Sequence, residues 1–239
     1  MKTKIQGLVL STQEYKEKDA LIRVLTDSGI VTLLAKGLHK KNAKNLRLSQ
    51  PFSFNEFMVE QRNGLSLLLT GQTLHYYFHI QEDLVKSSVC FVIQDAMYRS
   101  KFHPEYFDIL LEVWNSAHNG LDDFYFWACL ALKYCIEMEG VQPYVDGCVH
   151  CSNTKVETLS LKDGGFLCAT CNHGQYPKWT NVELKKIRAL IKCDSTHWQY
   201  VKEHFMFDIQ DFLYLAKWIE YHSLRNLASI RFLSAIYAL

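Results

Sequence analysis

The chain has 239 residues, 49% hydrophobic and 21% charged, an ordinary make-up for a globular protein with one large core or two modest ones. No apolar run reaches the roughly 18 residues that a membrane-crossing helix needs, and Met1-Lys-Thr-Lys-Ile-Gln-Gly7 lacks the apolar core of a signal peptide, so neither a membrane protein nor an exported one is expected. Net charge is +1 but unevenly spread: residues 1–80 carry 11 Lys/Arg against 6 Asp/Glu, a net +5, and the remainder 15 against 19, a net −4.

The front of the chain reads as β. Ile5 to Leu10 is mostly apolar, Ser11 to Asp19 is polar and loop-like, and Ala20 to Thr26 resumes with β-branched content. Asp27-Ser28-Gly29 signals a turn back into Ile30–Ala35, and Gly37 breaks the pattern. After Pro51 the run Phe52 to Val59 alternates. Asn63-Gly64, a strong type I′ hairpin signal, leads into a strand with Leu65, Leu67 and Leu69 on one face. Five strands in this space are most economically closed into a Greek-key OB-fold barrel, with an SH3-like barrel as the alternative. The long segment Lys36–Gln50 between the third and fourth strands favours the OB-fold, which commonly inserts a helix or excursion there. The fold class is therefore α+β: an OB-fold over residues 1–78, then a helical domain over 79–239.

From about His79 the period becomes helical, with Leu84, Val85, Cys90, Phe91, Ile93, Ala96 and Met97 indicating a well-buried helix. Pro104 suits the first turn of a second helix, which Asn119-Gly120 stops; Leu121–Glu139 forms a third, ended by Gly140. Thr180-x-x-Glu183 is a capping box opening a helix to about Lys192, and a further helix starts after Phe207.

An insertion at about residues 144–177 interrupts the helices. It contains Cys148-Val-His-Cys151 and Cys168-Ala-Thr-Cys171, two Cys-x-x-Cys knuckles at the spacing of a four-thiolate zinc site. Cys148, Cys151, Cys168 and Cys171 would close the coordination sphere of one structural Zn²⁺; disulfides or a redox pair are the rival readings. His150 and His173 lie beside the knuckles and could replace a cysteine. Asp163-Gly164-Gly165 before Phe166-Leu167 looks like a hairpin feeding the second knuckle, as in a zinc ribbon. Four isolated cysteines (Cys90, Cys129, Cys135 and Cys193) favour a reducing cytoplasm.

The run Lys36–Arg47 contains Lys36, His39, Lys40, Lys41, Lys44 and Arg47, and no acid occurs between Asp27 and Glu56. Clustered cations on such a barrel suit a phosphate backbone, although runs of this kind are also found as solvated loops. Phe52, Phe54 and Phe57 could stack bases, but alternating aromatics on a strand usually face inward, and two of the three are expected in the core. Catalysis lacks support: no phosphate-cradling loop, nucleophile elbow or His-Glu-x-x-His motif is present, and Asp122-Asp123 and Glu137-x-Glu139 suit caps or solvated faces.

Gly7-Leu-Val-Leu, Tyr15-Lys-Glu-Lys-Asp-Ala-Leu, Thr26-Asp-Ser-Gly29 and Ala35-Lys-Gly37 together resemble the bacterial RecO recombination mediators. Gln50-Pro51-Phe52, Asn63-Gly64-Leu65 and Leu224-Arg-Asn-Leu-Ala-Ser-Ile-Arg231 extend the resemblance to essentially the full length. It differs from the family pattern in having Asn42-Ala43 where the family often has Lys-Ser after the basic pair. The resemblance implies a non-enzymatic protein of recombinational repair, cytoplasmic and acting at the nucleoid. Such a protein binds single- and double-stranded DNA, anneals strands and, with RecR, loads RecA onto strands coated by single-stranded DNA-binding protein (SSB), whose C-terminal tail it contacts. It also implies that the basic run Lys36–Arg47 meets DNA. A protein-interaction adaptor without DNA binding, and a zinc enzyme, are the competing classes.

Overall fold

The structure is a computed structural model of the 239-residue chain and describes all residues except 39–42, 63–64, 99–101, 225 and 238–239. Five strands come first: β1 (Lys2–Tyr15), β2 (Asp19–Thr26), β3 (Gly29–Ala35), β4 (Ser53–Glu60) and β5 (Ser66–Tyr76). They form a closed barrel in the order β1-β2-β3-β5-β4. A meander of the SH3-like kind would set β4 beside β3. Here β5 takes that place, pairing parallel to β3 at Leu33↔Ser66 and Leu34↔Leu67, the OB-fold arrangement. A short 3-10 turn, Leu46–Ser49, occupies the excursion between β3 and β4.

β1 extends past the expected strand end at Leu10 because it serves both sides of the barrel. Lys2 to Leu8 pair with β4 and Leu8 to Tyr15 with β2, with an irregularity between Val9 and Ser11. The segment read as a polar loop is therefore mostly strand: Ser11 to Glu14 keep their side chains exposed while the backbone from Ser11 to Tyr15 pairs with β2. Inside lie Val9, Ile22, Val24, Leu33, Phe57 and Leu68 among others. Leu67 and Leu69 share a face of β5, but it is the outer one, and Leu68 enters the core; Leu65 lies just before the strand. Four leucines so closely spaced leave the register to be decided by pairing with β4, where it shifts between Met58 and Val59. The Asn63-Gly64 turn lies outside the described residues.

Helices α1 (Phe78–Glu82), α2 (Leu84–Tyr98), α3 (Tyr106–Asn119) and α4 (Phe124–Met138) follow. Gly120 ends α3 in the left-handed conformation at φ 64°, as a C-terminal glycine should. A two-stranded hairpin, β6 (Thr158–Ser160) with β7 (Gly165–Leu167), and the single turn α5 (Ala169–Asn172) make up the cysteine insertion. α6 (Asn181–Lys192) opens with the capping box of Thr180 and Glu183 fully formed. α7 (Trp198–His204), not foreseen from apolar periodicity, precedes α8 (Ile209–Ser223) and α9 (Ala228–Tyr237).

The chain divides into two compact units, Met1–Cys90 with Phe102–Leu121, and Phe91–Lys101 with Asp122–Leu239. The first is the barrel with α1 and α3 against it: Phe52 meets Trp114 edge-on at 5.5 Å and Tyr77 meets the same indole at 5.6 Å. In the second, α4 is buried on nearly every side, with Trp127, Leu130, Tyr134 and Ile136 all in the core. Among the described residues, no helix is long and apolar enough to cross a membrane.

Candidate nucleic-acid interface and metal centre

The excursion that carries the cations is anchored at both ends. Leu38 and Leu48 are sunk in the barrel core, 2% and 0% exposed. Gly37 N–H donates to Asp19 Oδ1 at 2.8 Å, Asn45 Nδ2 to the Leu69 carbonyl at 3.3 Å, and Thr12 Oγ1 to the Ser49 carbonyl at 2.7 Å. Apolar anchors and side-chain-to-backbone hydrogen bonds thus hold the two ends of the excursion. Lys36, Lys44 and Arg47 are all exposed. Lys36 and Lys44 line one hollow of about 380 Å³ with Gly37, Asn45, Leu69 and Thr70; Arg47 stands on the 3-10 turn outside it. His39, Lys40 and Lys41 lie outside the described residues.

Among the described residues, none of Lys36, Lys44 and Arg47 forms an ion pair, whereas Lys4 and Arg62 elsewhere on the barrel pair with Glu56 and Glu60 at 3.1 and 2.8 Å. Unpaired surface cations keep their full attraction for an external anion, because no internal carboxylate has to be displaced first. The three phenylalanines are less available. Phe57 is in the barrel core, Phe52 is 1% exposed under Trp114, and Phe54 is half-buried with its ring 6.0 Å from Phe107. Phe52 adopts φ 60°, a conformation unfavourable for a bulky residue, and its packing in the core compensates.

The cysteine insertion brings its four thiols together. Cys148 N–H donates to the Asn153 carbonyl at 2.9 Å and Ser152 N–H to the Cys148 carbonyl at 2.8 Å, closing the first knuckle. The β6–β7 hairpin then returns the chain so that Cys168 caps α5 and Cys171 lies on it. All four Sγ atoms lie within 4.8 Å of one another, and those of Cys151 and Cys168 are 3.6 Å apart. A tetrahedron with metal–sulfur bonds of about 2.3 Å has edges of about 3.8 Å, so the donor set fits one tetrahedral ion and fills its coordination sphere.

Electrostatics agree with that chemistry. Burial opposes ionisation of Cys148, but backbone hydrogen bonds from Cys168, His150 and Cys151 outweigh it and bring the thiol down to about 6. Hydrogen bonds with Cys151 and then Cys148 push Cys171 up to about 12. Four thiolates crowded this closely need a cation to ionise together. Neither histidine is needed: His150 Nε2 is held by Asp163 Oδ1 at 2.8 Å, and His173 is an exposed left-handed cap of α5.

The unit carrying the barrel also holds a ring cluster that the reading of scattered histidines passed over. Phe78 and His79 on α1 and His118 on α3 are mutually in contact, and His75 on β5 meets His118. The available signal was the run His75-Tyr-Tyr-Phe-His79, five consecutive aromatic or imidazole side chains at a strand-to-helix junction.

Comparison with known proteins supplies independent findings. Residues 1–77 match the family model described as Recombination protein O N terminal. The chain is 29% identical over 177 residues to the DNA repair protein RecO of Bacillus subtilis, covering 72% of this chain and 69% of that one. It is 28% identical over 177 residues to the DNA repair protein RecO of Bacillus pumilus, with the same coverage. With that of Halalkalibacterium halodurans the identity is 26% over 174 residues, covering 70% and 68%.

Proposed function

The chain belongs to the RecO family of DNA repair proteins, and from that premise we propose that it is a non-enzymatic DNA-binding mediator of recombinational repair. The observation that carries this reading is the anchored loop on the barrel, whose cations Lys36, Lys44 and Arg47 face solvent without carboxylate partners among the described residues. His39, Lys40 and Lys41 complete the proposed contact set. These cations neutralise phosphates without reading sequence, so binding is sequence-independent and two strands can be held close enough to anneal. Single and double strands are both substrates for such contacts. Residues 1–78 are the proposed DNA-binding domain and residues 79–239 the helical domain.

By the same reading the protein acts with RecR to place RecA on strands coated by SSB, and the helical domain receives the C-terminal tail of SSB. It works in the cytoplasm, at the nucleoid when engaged. Cys148, Cys151, Cys168 and Cys171 would hold one Zn²⁺, which supplies a cross-link between the knuckles rather than reactivity, because four thiolates leave no position for water.

Reversing two cations tests the proposal. Lys44→Glu with Arg47→Glu should weaken DNA binding and lower the slope of log K against log salt by about 1.4–1.8, from about 0.7–0.9 for each lost phosphate contact. An unchanged slope would move the DNA face elsewhere. Strand annealing measured with and without SSB tests the mediator role, and annealing blocked by SSB would argue against it.

A further inference from the structure

The ring cluster at the end of β5 has no place in the loop-based contact set, yet its composition and position suit a particular ligand. The rings of His79 and His118 stack at 4.5 Å with 22° between their planes. Phe78 lies 4.1 Å from His79 and 5.1 Å from His118, and His75 meets His118 edge-on at 5.4 Å. His75 and His79 are exposed, and Phe78 is 45% exposed. Behind them Tyr77 is only 2% exposed and packs on Trp114, so the cluster rests on a rigid support.

Hydrogen bonds fix the imidazoles from their edges. His79 Nδ1 donates to the His118 carbonyl at 3.0 Å, and the His79 backbone N–H donates to His118 Nδ1 at 3.4 Å. These bonds engage Nδ1 of both stacked rings, and the exposed rings of His75, Phe78 and His79 are what the cluster offers a ligand. Burial, reinforced by His79 and His75, holds His118 below the ordinary imidazole range, so the His118 ring is not a source of positive charge at neutral pH. Lys86 Nζ donates to the Ala117 carbonyl at 3.3 Å, next to His118 in sequence, and also pairs with Asp83 at 4.0 Å, so the cluster's own contribution is its rings.

We infer that His75, Phe78, His79 and His118 form a stacking platform for the unpaired bases of a single strand. The inference rests on the DNA-binding reading above and deepens it by naming where bases, rather than phosphates, are held. Three physical points carry it. Rings of phenyl and imidazole stack on any base, which suits a protein that must bind without reading sequence. The same strand, β5, links the two places: Leu69 and Thr70 line the hollow with Lys36 and Lys44, and His75 lies six residues beyond Leu69. At about 3.3 Å per residue the separation along β5 is about 20 Å, within the reach of a strand several nucleotides long. A protein partner would need complementary shape over a wider area, whereas a few rings at the end of the strand that also lines the cation hollow suit the bases of one single strand. The platform also stands apart from the usual OB-fold track over β2, β3 and the loops after β1 and β4.

Fluorescence anisotropy with the full chain tests the inference, using an oligo-dT of about 20 nucleotides, an abasic chain of the same length and a duplex of the same length. Phe78→Ala should weaken oligo-dT binding on the order of 10-fold, from about 1–3 kcal/mol per stacked base, while affinity for the abasic chain and the duplex stays unchanged. Phe78→Trp should restore oligo-dT binding and Phe78→Leu should not, because leucine keeps the apolar area without the π face. His79→Ala provides a second variant, with a smaller loss of the same pattern. Oligo-dT binding unaffected by both alanine variants would overturn the inference alone. Equal weakening for oligo-dT, abasic chain and duplex would also overturn it, by revealing a general effect on the barrel. Failure of the unmodified chain to bind any of the three would instead overturn the DNA-binding reading beneath it.

Discussion

Tyr214 on α8 donates its hydroxyl hydrogen to the carbonyl oxygen of Leu159 on β6 at 3.0 Å, joining a core helix to the hairpin that carries the second cysteine knuckle. Two turns further along α8, His222 Nε2 reaches the Leu161 carbonyl at 2.8 Å. The hairpin has only three residues per strand and little core of its own, so these contacts decide its seating on the helices. Tyr214→Phe should lower stability by about 1 kcal/mol, the usual net value of such a bond with an acceptor left behind in a buried setting. Urea denaturation of the metal-loaded protein measures this, and metal content should not change.

Cys168→Ser makes a different demand. Cys168 is 2% exposed and belongs to the small core of the insertion with Cys148 and Leu167. Removing one of four thiolates should lower zinc affinity and stability together, because the energy of a structural site is folding energy. DNA binding should follow only as folded protein is lost, since the proposed contacts lie on the barrel. Zinc stoichiometry, thermal melting and DNA affinity measured on one sample give the order. Unaltered melting with abolished DNA binding would contradict it. X-ray absorption on the unmodified protein should show four sulfur ligands.

These elements were not equally legible in the sequence. The thiolate set was readable because Cys-x-x-Cys spacing is local and the chemistry admits few alternatives. The capping box at Thr180 was also local, and it is fully formed. The barrel was readable from turn signals and alternation, but the length of β1 was not: Ser11 to Tyr15 look polar, and only pairing with β2 makes them strand. Leu68 shows the same limit, since its neighbours Leu67 and Leu69 are equally apolar and long-range register chooses among them. The ring cluster was hardest to see. His118 joins His75 and His79 across about 40 positions of sequence, and no periodicity links them.

Gly7 sits where β1 passes from pairing with β4 to pairing with β2. A Cβ there would lie 2.3 Å from Val24 Cγ1 and 2.6 Å from the Leu25 carbonyl oxygen. The valine methyl could rotate, but the carbonyl is backbone of the paired strand and cannot retreat without opening the ladder. Gly7→Ala should therefore destabilise the barrel by about 2–3 kcal/mol, an overpacking cost. Urea denaturation followed by a barrel-specific probe checks the value, and hydrogen exchange should quicken first at the β1–β2 pairs.

His118 makes stability of the barrel-bearing unit depend on pH. Burial lowers its pKa from the ordinary 6.5, and His79 and His75 lower it further, while Glu82 opposes them. A proton therefore binds the unfolded chain more readily than the folded one. Above about pH 6.5 the residue is neutral in both states and favours neither. As pH falls from 6.5 toward the depressed folded value, the unfolded state is protonated first and stability declines across that window. His118→Asn removes the titration while its Oδ1 can still accept from the His79 amide, the bond now made by Nδ1 at 3.4 Å. Urea midpoints at about pH 7.5 and about pH 5.5 should therefore differ less in the variant than in the unmodified chain. Equal declines in the two proteins would assign the acid sensitivity to other histidines.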